Sequence, residues 1–89
     1  MALLYHTDGR IEYVTPKNGR RFSTKELQEA VGGYIEMTPI SGSNDLFVVN
    51  EEGKLLNLEY NRKATEAMLY NKTDYIVGDA LRCKRSELN

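Results

Sequence analysis

The chain has 89 residues, is 40% hydrophobic and carries a formal net charge of −1. That length supports one domain with one modest core over residues 1–89, and its thin stability margin makes a homo-oligomer the expected state. The single cysteine, Cys83, excludes an intramolecular disulfide and points to a cytoplasmic, reducing location, while the lack of any apolar stretch near the roughly 18 residues of a membrane span, and of a signal-peptide pattern in the opening MALLYHTDGR, points away from membrane and export.

The first unit reads ALLYHT-DG-RIEYVT. Asp8-Gly9 between two β-rich runs predicts a hairpin with a two-residue turn. In the second run Ile11, Tyr13 and Thr15 share one face, and Glu12 and Val14 the other. Pro16 and the following KNG end the strand in a loop.

FSTKELQEAVGG predicts a short helix. Ser23 with Glu26 three residues later is a capping box. Leu27, Ala30 and Val31 form one apolar face, and Gly32 or Gly33 supplies the left-handed stop. YIEMTPI then reads as a strand that Pro39 confines to an edge or a bulge. SGSND is a turn cluster. LFVV is apolar on both faces, the mark of a central strand covered on both sides.

NEEGK, residues 50–54, separates LFVV from LLNL. Two adjacent carboxylates raise the possibilities of metal binding or acid–base work. A calcium loop spreads its ligands over about twelve residues, and that spacing is missing. Asn50 suits the first position of a turn and Gly53 the fourth, so the segment is expected to be a hairpin tip with LLNL as the returning strand. EYNRKATEAMLYN predicts a second helix capped by Asn61, with Ala64, Ala67 and Met68 inward and Asn71 as its stop. DYIVGDALRC is the last strand, with Gly78 at a bulge, and residues 84–89 form a polar tail expected to be loose. The expected order is β-β-α-β-β-β-α-β, an α+β fold with an antiparallel or mixed sheet and two short helices.

Charge is unevenly spread. Residues 1–31 sum to +1, residues 32–61 to −4 and residues 62–89 to +2. No strongly basic face results, which argues against duplex nucleic acid as a partner. His6 is the only histidine and reads as a strand-end surface residue, so no metal cluster is expected. Cys83 lies among Arg82, Lys84 and Arg85, cations that favour thiolate; without a base beside it, it reads as an ordinary half-buried strand residue. No phosphate loop, dinucleotide fingerprint or nucleophile elbow occurs, so no catalytic residue and no cofactor is implied.

Two candidate binding groups remain. Lys17, Arg20 and Arg21 precede the helix capped by Ser23, where free N–H groups and the dipole favour an anion such as a nucleotide phosphate, with Tyr34 as a stacking face. A solvated loop explains the same residues. Arg62 and Lys63 lie in the first turn of the second helix, where the dipole disfavours cations, and so are candidates for contact with a partner. Six tyrosines, Tyr5, Tyr13, Tyr34, Tyr60, Tyr70 and Tyr75, are too many for so small a core. Some are expected at a surface.

The segments LQEAVGGYIE, VNEEGK, YNRKAT and IVGDAL, in that order, resemble a family of short proteins from phages, prophages and gut bacteria that forms a domain of unknown function. The resemblance runs from Leu27 to Leu81. It implies a mobile-element origin and, by setting, a binding module in the host bacterial cytosol that modulates a host protein or defence pathway, or an oligomer that sequesters a nucleotide-like ligand. A small enzyme or enzyme subunit is the rival class. The resemblance transfers no catalytic residue.

Overall fold

The computed structural model describes residues 2–40, 42–68 and 75–88. Among these described residues, five strands and two helices occur in the order β1 (Ala2–Tyr5), β2 (Ile11–Val14), α1 (Thr24–Val31), β3 (Ile35–Pro39), β4 (Asp45–Asn50), α2 (Arg62–Ala67) and β5 (Ala80–Lys84). The strands form one antiparallel sheet in the order β2-β1-β5-β4-β3. The fold is α+β, as the patterning predicts. The third strand expected between the helices is absent: LLNL does not return along β4, and only Tyr60 keeps a bridge, to Val77.

Strand alternation sorts the side chains onto two faces. Leu46, Val48, Leu81 and Cys83 point to the first face, under Leu27 and Val31 of α1. Phe47, Ala80 and Tyr5 point to the second, with Ala64, Met68 and Ile76. Tyr5 and Phe47 meet edge to face, centroids 5.2 Å apart. Phe47 and Val48 are both fully buried. The chain's own helical segments thus supply the two-sided cover that LFVV demands, without a second copy. β3 is an edge strand, which accommodates Pro39.

Local signals set both helices. Ser23 Oγ accepts from Glu26 N while Glu26 Oε1 accepts from Ser23 N, and Gly32 closes α1 in the left-handed conformation. Asn61 Oδ1 accepts from Ala64 N to cap α2. The expected stop at Asn71 lies outside the described residues. The β1–β2 hairpin forms, but with a three-residue loop: His6 N donates to Arg10 O, Gly9 N to His6 O, and Gly9 takes φ 96°. This is a type I turn followed by a left-handed residue, which Asp8-Gly9 serves as well as a two-residue turn. β5 starts only at Ala80, after Gly78 at φ 75°. The tail is not loose. Arg85–Glu87 form a 3-10 turn, Glu87 O accepts from Phe22 N at 2.7 Å, and Leu88 bridges Phe22. Phe22 supplies the apolar partner that a polar-looking tail did not advertise.

Candidate functional site

Residues 50–58 form a single helical turn. Gly53 N donates to Asn50 O, the four-residue turn that Asn50 and Gly53 predict. The chain then continues helically: Leu56 N donates to Glu52 O. Leu58 N donates to Gly53 O and Asn57 N to Lys54 O, with Asn57 at φ 58°. That pair of bonds around a left-handed residue is a Schellman closure. Asn50 starts the turn. Its Oδ1 accepts from Glu52 N at 2.8 Å, and its Nδ2 donates to Val31 O at 3.2 Å, tying the turn to α1. Gly53 lies so close to Val77 that a Cβ would sit 2.9 Å from Val77 Cγ2. Leu58 fills the space over Gly78, where a Cβ would sit 2.8 Å from Leu58 Cδ1. The turn is therefore built into the fold at both feet.

Its tip points the other way. Leu55 is 86% exposed and Leu56 57%. Leu55 borders a pocket of about 130 Å³ on the second sheet face, floored by Val49, Met68 and Ile76 with Glu36, Glu51 and Tyr75 at its mouth. Lys54 Nζ sits 4.2 Å from the centroid of the Tyr75 ring, and Tyr60 lies 6.2 Å from Tyr75, centroid to centroid. Leu56 borders a shallower depression with Tyr34, Glu52 and Gly33. Tyr34 O accepts from Glu51 N, which holds that tyrosine beside the turn. Tyr34, Tyr60 and Tyr75 are all exposed. One end of the molecule thus gathers five large apolar or aromatic side chains around a rigid turn.

The residues singled out from sequence are placed differently. Glu26 itself occupies the N-terminus of α1: its carboxylate accepts from Ser23 N and Lys17 N, and these backbone bonds hold it below the usual carboxylate range. The carboxylate occupies the N–H groups of Ser23 and Lys17, and its negative charge opposes a second anion there. Asn18 Oδ1 accepts from Arg20 N and Arg21 N, so the loop is bonded to itself, while the side chains of Arg20 and Arg21 stay exposed. Tyr34 lies past the opposite end of α1, about 12 Å of helix away, so it is not brought to that loop. Arg62 pairs with Glu66 at 3.1 Å, and Lys63 Nζ donates to Gly9 O at 2.7 Å, pinning α2 to the hairpin. Tyr5 is buried and Tyr13 exposed, while Tyr70 is outside the described residues.

His6 is not a simple surface residue. Its Nε2 is 2.8 Å from Glu12 Oε1 and its Nδ1 3.2 Å from Asp79 Oδ2, while Asp79 Oδ1 accepts from Thr7 N. The bond to Glu12, aided by the bond and charge of Asp79, outweighs burial and raises the imidazole above its ordinary pKa of 6.5. Residues 6, 12 and 79 meet only through strand pairing, so no local signal announces them. Cys83 is a strand residue, as read from its lack of a base, and is buried rather than half-buried. Burial, with the charges of Glu87 and Asp45, pushes the thiol up to about 12, so it is no nucleophile in the folded protein. Among the described residues no group of His, Cys, Asp or Glu is arranged to hold a metal ion, and no helix is long and apolar enough to cross a membrane.

Fold and site together define a small α+β domain that displays a rigid, apolar-tipped turn. The chain belongs to the family described as domain of unknown function DUF3846, which matches residues 2–88. The N-terminal hairpin and the docked tail are therefore parts of the family domain, beyond the Leu27–Leu81 stretch that carries the resemblance. No curated protein and no solved structure matches the chain.

Proposed function

We propose that the protein is a non-enzymatic binding module that engages a partner protein through the end bearing the 50–58 turn. One observation carries this reading: Leu55 and Leu56 project into solvent from a turn whose own hydrogen bonds and close glycine contacts fix it in place. An apolar tip on a floppy loop would be unremarkable. On a rigid turn beside three exposed tyrosines it forms a preorganised patch of the kind that marks interaction sites, with little ordering entropy left to lose on binding. The four-segment resemblance supports the setting: a phage or mobile-element protein acting on a host protein or defence pathway in the bacterial cytosol. Against the nucleotide-sequestering alternative stands the Glu26 carboxylate at its helix end.

Native mass spectrometry of the protein isolated from its own host is the test. A discrete complex with one protein at fixed stoichiometry is expected. A protein that carries only a small molecule, or that turns over a substrate, would overturn the reading.

A further inference from the structure

We infer that the partner surface received by this end is basic as well as apolar: a Lys- or Arg-rich segment that inserts one apolar side chain into the pocket beside Leu55. The inference rests on the docking reading above and adds the partner's chemistry. Three carboxylates border the apolar end, and a fourth follows the foot of the turn. Glu36 and Glu51 stand at the mouth of the pocket, Glu52 borders the depression beside Leu56, and Glu59 follows Leu58. All four are exposed, and among the described residues none makes an ion pair. Three other acids are paired inside the chain: Asp8 with Arg10, Glu66 with Arg62, Asp45 with Arg82. Lys54 is the single cation of residues 32–61, and it lies over the Tyr75 ring.

Unmatched acids around an apolar patch favour a cationic partner and steer its approach. They also decide against the other occupants. Nucleic acid would bring phosphates onto these carboxylates. A two-fold dimer through this end would bring two such acidic rims together. The pocket, at about 130 Å³, is near the size of an engineered cavity of roughly 150 Å³ that holds a benzene ring, so one leucine- or phenylalanine-sized side chain fits.

The test is selection of a random peptide-display library on the full chain, with counter-selection on the Leu55→Ser/Leu56→Ser variant. Survivors enriched in Lys and Arg around one large apolar residue are expected. The best of them, as a synthetic peptide, should bind at least tenfold more weakly to Glu36→Gln/Glu51→Gln/Glu52→Gln/Glu59→Gln, and should weaken as salt rises. A survivor pool with the charge of the input library, an acidic pool, a peptide indifferent to the four glutamines, or self-association abolished by the leucine variant would each overturn the inference. If the native partner still requires Leu55 and Leu56 in that event, the docking reading stands and only the partner's chemistry falls.

Discussion

Asn61 shows how much one polar side chain fixes here. It is fully buried, and all of its bonds are made: Oδ1 accepts from Ala64 N, while Nδ2 donates to Tyr5 O and Gly78 O, each at 2.9 Å. One amide caps α2 and ties it to the end of β1 and to the segment before β5. Asn61→Ala removes a cap and two hydrogen bonds to backbone carbonyls, a loss of about 2 kcal/mol or more. For a domain of this size that lowers Tm by about 8–16 °C; a drop of only a degree or two in a thermal melt would contradict this role. His6 gives a pH dependence. Both ring nitrogens face carboxylates, and only the imidazolium donates from both. Its folded pKa is raised above the unfolded 6.5, so its stabilisation is complete below about 6.5 and is lost as pH rises through the folded value. Tm should therefore fall as pH rises above about 6.5, and His6→Gln should flatten that fall. Equal slopes in the two proteins would contradict the assignment.

At the scale of elements, the 50–58 turn depends on Gly53. A methyl group there meets Val77 Cγ2 at 2.9 Å and Asn50 O at 3.3 Å. Gly53→Ala should cost about 1–3 kcal/mol, as overpacking does, and should disturb amide signals of Val77 and Leu58 in an NMR spectrum. Unchanged stability would mean that the turn is not seated as described. The same segment shows what sequence conveys. Helix starts were legible because caps are local: Ser23 with Glu26, and Asn61, state their roles within four residues. The central position of β4 was legible because Phe47 and Val48 are both apolar. The run LLNL read as a strand because apolar β-type residues after a turn usually return. What stops it is tertiary, the seating of Gly53 on Val77 and of Leu58 on Gly78, although the spacing of Asn50 and Asn57 as cap and left-handed stop was present in the sequence. The candidate site went unseen for that reason. Leu55 and Leu56, read as part of a returning strand, are its exposed tip.

For the whole molecule, Glu36, Glu51 and Glu52 of the acidic stretch 32–61 lie at the end that displays Leu55 and Leu56, while Asp45 pairs with Arg82 and the cations of residues 62–63 are spent on internal contacts. The two-sided cover of β4 is satisfied within one chain, so self-association, expected from small size, has no support from that strand. The rival surface is the edge strand β2, where Ile11 and Tyr13 share the second face and are also exposed. Both surfaces tolerate change: Leu55→Ser/Leu56→Ser should leave stability within about 0.5 kcal/mol of the parent, as for exposed sites in general, and a larger drop in Tm would show that the leucines serve the fold. The most direct measurement compares retention of the native partner by the parent chain, by Leu55→Ser/Leu56→Ser and by Ile11→Ser/Tyr13→Ser, each shown to melt at the parent's temperature. Loss of the partner in the leucine variant alone is the predicted result; a leucine variant that retains the partner while the β2 variant loses it would contradict the account.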